Sequence, residues 1–306
     1  MKKLTIVVPC YNEEKSLNEY YSRTKDVLKA IPNLKYNFLF INDGSTDSSL
    51  KIIKDLATNT DVNYISFSRN FGKEAAIYAG LENNNSDYLI IMDADLQDPP
   101  SLIPKMFKEI DKYDIVATKR VSRKGEPIIR SFFARCFYKI MNKFTNIDIV
   151  DGARDYRLMK KNVAESILKL NEYNRFSKGI FQWVGFKNKW LEFENVERIN
   201  GESSWSFIDL FKYSLEGIVS FTTAPLHFST VIGLIFSIIA FIVAIIIIFR
   251  TMLFGDPVAG WPSLVVIILF VGGVQLFTIG ILGQYLAKTY LETKNRPIYL
   301  IEEKKL

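Results

Sequence analysis

Two carboxylates on alternate residues, Asp93 and Asp95, close an apolar run from Tyr88 to Met92 and are followed by Gln97, Asp98, Pro99 and Pro100. Crowded carboxylates repel one another unless a cation lies between them, and hard oxygen ligands suit Mg²⁺ or Mn²⁺. The apolar run has the length and composition of a buried strand. Prolines cannot continue a ladder, so the acidic residues stand at the strand's end. In open α/β sheets the carboxyl ends of strands are where ligands bind. Asp93-x-Asp95 therefore reads either as an acidic turn closing a strand or as the holder of a divalent cation that carries a diphosphate.

A pair of this kind works only if a fold holds it at an edge, and the preceding chain supplies one. Leu4 to Val8 has strand composition and runs into the polar turn Pro9-Cys10-Tyr11-Asn12-Glu13-Glu14. A helix is expected from about Ser16 as cap, because Leu17, Tyr20, Tyr21, Thr24 and Leu28 recur at helical spacing. Phe38 to Ile41 is a second strand, closed by the turn from Asn42 to Asp47, with Asp47 or Ser48 capping the next helix. Asn63 to Phe67 is a third, ended by Ser68 to Lys73, and an Ala-rich helix follows from about Glu74 to Leu81. This alternation predicts an α/β fold with a mostly parallel sheet and helices on both faces.

Neither G-x-G-x-x-G nor G-x-x-x-x-G-K-[ST] occurs, which argues against a dinucleotide-binding Rossmann domain and a P-loop NTPase. Polar, acid-bearing turns end the strands instead, where side chains and a metal could hold a nucleotide. The net charge of +6 with a single His suits a protein that lies beside an anionic membrane or binds phosphorylated ligands. It is too mild to argue for nucleic acid, and no nucleic-acid motif occurs. Leu4 to Val8 is too short, and too soon ended by Pro9, for a signal peptide. The first part of the chain is therefore expected in the cytosol, with Cys10 and Cys136 as free thiols.

Pro9-x-Tyr11-Asn12-Glu13, Asn42-Asp43-Gly44-Ser45, Arg69-Asn70-x-Gly72-Lys73 and Asp93-x-Asp95-x-Gln97-Asp98-Pro99-Pro100 resemble, in order and spacing, the family 2 glycosyltransferases of GT-A fold. More narrowly they resemble the polyprenyl-phosphate glycosyltransferases, which include bactoprenol glucosyltransferases and dolichyl-phosphate mannose synthases. The resemblance implies that Pro9, Tyr11, Glu13 and Asp43 line a base and ribose pocket and that Lys73 lies near the nucleotide. It also implies that Asp93, Asp95 and Gln97 hold Mg²⁺ or Mn²⁺. Plain turn chemistry is the competing account of Tyr11 and Asp43.

Asp151 to Leu158 contains a D-[FY]-R-L core similar to the family segment that supplies the proposed catalytic carboxylate, here Asp155, with Asp95 joining it through the metal. Arg175-Phe176-x-x-Gly179 and Trp183-x-Gly185-Phe186 look like the family's acceptor side. Arg198-x-x-Gly201-Glu202-Ser203-Ser204-Trp205 resembles its R-x-x-G-E-S-[KR]-[YW] segment, but Ser204 stands where a basic residue is usual. That departure weakens a cationic diphosphate contact there and leaves Arg198 to make it.

Ile115 to Ala117 is a further strand candidate. Thr118 to Arg130 carries Lys119, Arg120, Arg123, Lys124 and Arg130 around Gly125, as a solvated loop or as a mobile lid guiding an anionic headgroup. Arg120, Arg123, Arg130 and Arg198 are the candidate contacts to an acceptor phosphate. Phe133, Phe137, Ile140, Met141 and Phe144 follow helical spacing, with Arg135, Lys139 and Lys143 on another face. That pattern fits a helix lying in a membrane interface near 130–144, or one packed on the sheet. A second amphipathic helix is expected near 207–221.

After Pro225 the chain becomes almost pure hydrocarbon. Val231 to Phe249 is 19 residues without a charge, and Pro262 to Ala287 is 26. At about 1.5 Å per residue the first matches roughly one hydrocarbon core. Transmembrane helices are expected at about 229–250 and 262–288. Gly273 and Gly280 would permit close helix contact, which leaves a homo-oligomer open. Lys288, Lys294 and Arg296 follow the second span against Arg250 alone in the connection, which by the positive-inside rule puts both termini in the cytosol. The expected layout is a cytosolic GT-A domain, 1–225, then a membrane anchor, 226–306, with two spans and a short cytosolic tail.

The activity implied by the resemblance is transfer of one sugar, with inversion, from a nucleotide diphosphate sugar to polyprenyl (undecaprenyl) phosphate at the cell membrane. UDP-glucose or UDP-N-acetylglucosamine is the expected donor, with GDP open. The product would be a lipid-linked monosaccharide for cell-envelope glycosylation, with a flippase and a second glycosyltransferase downstream. One alternative is a processive polysaccharide synthase, which two spans and the absence of Q-x-x-R-W disfavour. Another is a non-catalytic nucleotide-sugar-binding membrane protein, which the acidic set at 93–97 and Asp155 disfavours.

Overall fold

The computed structural model describes residues 1–121, 150–194, 219, 221–254 and 260–306. The interface helices expected near 130–144 and 207–221 lie outside these, save Val219 and Phe221. Two compact units make up the chain: Met1–Gly217 together with Asn295–Leu306, and Ile218–Lys294.

In the first unit, β1 (Lys2–Cys10), β2 (Leu34–Asn42), β3 (Val62–Phe67) and β4 (Tyr88–Ile91) alternate with α1 (Leu17–Lys29), α2 (Ser49–Leu56) and α3 (Lys73–Glu82), and α4 (Ile103–Glu109) follows. The strands are nearly continuous apolar runs because both faces of the sheet are covered. Leu4, Ile6 and Val8 join a core with Leu17, Tyr20, Leu28, Ile53, Ile103 and Met106 of α1, α2 and α4. On the other face Val7 meets α3 so closely that a Cβ on Gly80 would stand 2.1 Å from Val7 Cγ1. Each fully buried Leu, Ile or Phe in such a core contributes about 1.5–3 kcal/mol.

The remaining elements of this unit are β5 (Ile115–Arg120), β6 (Ala153–Lys160), α5 (Lys161–Leu168), α6 (Ser177–Trp183) and β7 (Asn188–Phe193). Two long helices of the second unit, α7 (Ala224–Phe254) and α8 (Trp261–Thr293), come next, and β8 (Ile301–Lys305) returns to the first. The sheet runs β7-β5-β6-β4-β1-β2-β3-β8. β1 lies parallel to β2 and β4, β2 to β3 and β5 to β7, whereas β6 is antiparallel to β4 and β5, and β8 to β3. Strand order reverses at β1, with β2 on one side and β4 on the other. That switch point is where an open α/β sheet leaves a crevice beyond its strand ends.

Several expectations are corrected. The strand expected over Ile115–Ala117 extends through Arg120, and Lys119 pairs with Glu192 of β7 at 2.9 Å. The first two cations of the expected lid segment are thus strand residues. Residues 295–306, expected as a tail of the anchor, belong to the first unit as the segment containing β8. Ser16 stands at the start of α1, but its hydroxyl donates to the Glu13 carbonyl and carboxylate and not into the helix. At α2, Asp47 Oδ1 accepts the Ser49 N–H at 2.9 Å, so Asp47 supplies the oxygen although Ser48 holds the cap position.

In the second unit α7 and α8 are each long and apolar enough to cross a membrane, and both run past the spans expected at about 229–250 and 262–288. Phe236 meets Phe270 edge-on at 5.3 Å, and the Tyr285 hydroxyl donates to the Thr222 carbonyl at 2.7 Å. Among the described residues nothing lies within 4 Å of where a Cβ on Gly273 or Gly280 would stand.

Candidate active site

The loops after β1 and β2 are sewn together. Asn12, at φ 56°, accepts the Thr46 N–H through Oδ1 at 2.9 Å and donates its own N–H to Ser45 Oγ at 3.0 Å. Glu13 N–H donates to Ser49 Oγ at 2.8 Å, and Glu14 Oε2 accepts from Ser48 N–H at 3.0 Å. Pro9, next to last in β1, pairs with Ile41, and Tyr11 is left 47% exposed at the rim, an aromatic face open to a planar ligand.

Asp43 is buried, and its two oxygens accept the backbone N–H groups of Phe71 at 2.6 Å and Gly72 at 2.9 Å. Burial pushes its carboxyl up to about 6 against the opposing pull of those N–H groups and Arg69. Gly44, at φ 64°, lets this turn approach the 69–70 backbone, since a Cβ there would lie 2.4 Å from the Arg69 carbonyl carbon. Asp43 therefore fixes the 69–73 loop and, with it, the start of α3.

Lys73 opens α3 and reaches the end of β4. β6 is antiparallel to β4, with Ile91 opposite Arg157. Two residues further along that register Asp155 comes abreast of Asp93. Lys73 Nζ lies 2.7 Å from Asp93 Oδ2 and 2.7 Å from Asp155 Oδ2. Burial works against the ammonium, but the charges of Asp155 and Asp93 more than offset it and raise the Lys73 pKa. For Asp155 burial alone would raise the carboxyl. Lys73, with Lys178 and Arg157, overcomes that and holds Asp155 far below the usual carboxylate range. Asp155 is thus a fixed negative charge at neutral pH.

Beyond Asp93 the chain turns sharply. Leu96, at φ 60°, is buried, and Gln97 N–H donates to Asp95 Oδ1 at 3.1 Å. Gln97 Oε1 is 3.4 Å from Arg154 Nη2, and Arg154 Nε donates to the wholly buried Asp98 at 3.1 Å. Burial raises Asp98 to about 6 despite Arg154, with Asp93 and Asp95 pushing the same way. Among the described residues Asp98 Oδ2 has no hydrogen-bond partner. An acidic field of this sort, built from hard oxygen donors, fits a divalent cation. Asp93 and Asp95 would hold it, with Gln97 near enough in sequence to join. Among the described residues no three His, Cys, Asp or Glu side chains form a ready cage.

Glu74 lies behind Lys73. It accepts the backbone N–H of Ser177 at 3.0 Å and the Ser177 hydroxyl, which ties α3 to α6. Burial, then the charge of Asp155, raises its carboxyl to about 7 against Ser177 and Lys73. Arg157 is also buried, its guanidinium 3.7 Å from the Phe181 ring centroid and donating to the carbonyls of Asp155 and Arg154. A raised carboxyl stabilises the fold fully below its ordinary value of 4.5, and that contribution is lost as pH climbs through about 7. Glu74→Gln, a neutral mimic, should therefore melt progressively higher than the parent as pH rises from 5 to 8. Equal pH dependence of the two melting temperatures would remove Glu74 from this role.

Of the residues expected in the site, Lys73, Asp93 and Asp155 meet directly, and Asp95 and Gln97 share the turn that follows Asp93. Arg120 lies at the end of β5, its N–H donating to the Gly152 carbonyl at 3.0 Å. Arg175, expected on the acceptor side, is buried over the Tyr78 ring at 4.7 Å. Arg123, Arg130 and Arg198 lie outside the described residues. Glu74 and Arg154 went unassigned, although each neighbours an assigned residue. On β6 Arg154 faces away from Asp155, and only the structure shows that this turns it towards Asp98.

The model of the family described as glycosyl transferase family 2 matches residues 5–168. CsbB of Bacillus subtilis is 44% identical over 302 residues, 98% of this chain and 91% of its own length. The bactoprenol glucosyl transferase of Shigella phage SfX is 42% identical over 308 residues, 99% of this chain and 100% of its own. A prophage bactoprenol glucosyl transferase homolog of Escherichia coli K12 is 41% identical over 308 residues, 99% of each.

Proposed function

The chain belongs to glycosyl transferase family 2, and from that premise we propose that it transfers one sugar from a nucleotide diphosphate sugar to polyprenyl phosphate. The observation that carries this reading is the meeting of Lys73, Asp93 and Asp155 at the sheet's switch point, in a chain with two helices able to cross a membrane. Relatives named for bactoprenol glucosyl transfer support the acceptor class and make glucose the first sugar to try.

In the proposed reaction an oxygen of the lipid phosphate attacks the anomeric carbon in line with the departing diphosphate, inverting the centre. A phosphate monoester with its second pKa near 6 is already an anion at neutral pH, so it needs little help from a base. Asp155, held ionised by Lys73, is a poor proton acceptor. Its role is to orient groups and to oppose the positive charge that develops on the sugar ring. Lys73 keeps Asp155 and Asp93 in place and offers an ammonium to the donor's phosphates. Tyr11, with Pro9 and Glu13, offers a rim for base and ribose, and Asp43 supports it by fixing the 69–73 loop. Arg120, with Arg123, Arg130 and Arg198, would offset repulsion between acceptor phosphate and donor diphosphate. Bound at Asp93, Asp95 and Gln97, Mg²⁺ or Mn²⁺ would neutralise charge on the leaving diphosphate. The protein would work at the cell membrane, with the first unit and both termini on the cytosolic side.

A panel of UDP-glucose, UDP-N-acetylglucosamine and GDP-mannose, each with undecaprenyl phosphate, tests the donor. We expect a UDP-sugar to give nucleoside diphosphate and sugar-lipid in equal amounts, and no lipid product from any donor would defeat the proposal. The metal assignment is tested separately with Asp95→Asn. Titrated with Mn²⁺ and followed by electron paramagnetic resonance in the presence of UDP, it should bind the ion at least about tenfold more weakly than the parent, roughly 1.4 kcal/mol. Unchanged Mn²⁺ affinity would remove Asp95 from the metal site.

A further inference from the structure

We infer that the C-terminal segment Tyr299–Lys305 is a positioning element of the transfer site: it holds the 68–73 loop that delivers Lys73. This inference rests on the proposed function for its consequence, but its structural half stands apart. The chain leaves the first unit for the apolar helices and returns at Asn295. Ile301–Lys305 then pairs antiparallel with β3, Tyr64 opposite Lys305 and Phe67 opposite Ile301. One further bond, Ser68 N–H to the Leu300 carbonyl at 3.1 Å, carries the pairing past the end of β3 into the loop itself.

Side chains continue the connection. Tyr299 stacks on Phe67, with centroids 4.8 Å apart and planes 26° apart, and Phe67 meets Phe71 edge-on at 5.8 Å. The Tyr299 hydroxyl donates to Glu82 at the end of α3 and accepts from Asn83 Nδ2 at 3.3 Å. Tyr299 thus touches both the strand that leads into the loop and the end of the helix that leads out of it. Phe71 is the residue whose N–H donates to Asp43, and Gly72 is the next. Two residues after Phe71, Lys73 reaches Asp93 and Asp155. Without the tail, β3 would be an uncovered edge strand, and Phe67, against which Phe71 packs, would lose the ring stacked on it. Donor phosphates that meet Lys73 would then meet a looser cation.

Deuterium exchange on the full-length protein in detergent tests this, together with the KM values for donor and lipid acceptor. In Tyr299→Ala the amides of Phe71 and Gly72 should exchange about tenfold faster and the donor KM should rise about tenfold, with the acceptor KM within about twofold of the parent. Tyr299→Phe keeps the stacked ring but loses the hydroxyl's bonds to Glu82 and Asn83, and should fall between the parent and Tyr299→Ala. Lys54→Ala removes the 2.6 Å ion pair to Glu303, away from the loop, and should leave both readouts unchanged. Should Tyr299→Ala fail to fold, Tyr299→Leu, which keeps apolar bulk without the ring, carries the same comparison. Parent-like exchange and donor KM in a folded variant would overturn the inference, as would equal rises in both KM values. Exchange requires no turnover, so a parent that transfers no sugar defeats the proposed function and leaves the positioning claim to be decided on exchange alone.

Discussion

Asp155→Asn should lower kcat for sugar transfer by about 10²–10⁴-fold while donor affinity stays within about threefold. The substitution keeps shape and hydrogen bonding but removes a charge that the surroundings work to maintain, because burial would protonate it and Lys73, Lys178 and Arg157 prevent that. A charge kept ionised in this way serves the transition state if the sugar develops positive charge, and it cannot serve as a base near neutrality. The parent's activity should therefore show no inflection from Asp155 between pH 5 and 9. Single-turnover kinetics with isothermal titration of UDP separate the two quantities. Loss of donor binding with an intact chemical step would instead make Asp155 a binding residue.

Lys73→Met should be nearly as damaging, lowering activity by about 10²–10³-fold, and it should also reverse the pH dependence of stability. In the parent the depressed Asp155 carboxyl contributes stability above its ordinary value, and that contribution is lost only in strong acid. Without the ammonium at 2.7 Å, burial and the neighbouring Asp93 raise Asp155. A raised carboxyl stabilises the fold below its ordinary value and loses that contribution as pH climbs through the new one. Lys73→Met should thus be least stable relative to the parent at pH 8 and recover towards pH 5, as urea denaturation at both values would show. A constant difference between the two proteins would mean that Lys73 does not govern the charge of Asp155.

Much of this arrangement is legible in the residues, for a physical reason. β1, β2 and β4 each bury three or more consecutive apolar residues towards their carboxyl ends, and the polar turns that close β1 to β4 carry the site. β6 obeys no such rule. Its sequence Ala-Arg-Asp-Tyr-Arg-Leu-Met-Lys shows no alternation, because Arg154 faces Asp98 while Asp155 and Arg157 face Lys73 and Phe181. A strand whose two faces both line a polar site looks like a loop. Equally hidden is the Lys73 bridge, which joins carboxylates supplied by two different strands through an antiparallel register that local spacing does not reveal. β8 reads Ile-Glu-Glu-Lys-Lys, an ordinary charged tail, and only its pairing with β3 makes it part of the sheet. The mostly parallel sheet is thus legible in the alternation of strands and helices, and its GT-A type in the motifs that resemble the family, whereas the contacts that hold the site together are not.

The mass of the lipid product decides whether a single sugar passes to the polyprenyl phosphate. Incubation of the full-length protein with UDP-glucose, Mg²⁺ and undecaprenyl phosphate should give one new lipid species, heavier by a single hexose, whose anomeric configuration is opposite to that of the donor. Lipids carrying several sugars, or donor consumed while every lipid keeps its original mass, would contradict that transfer.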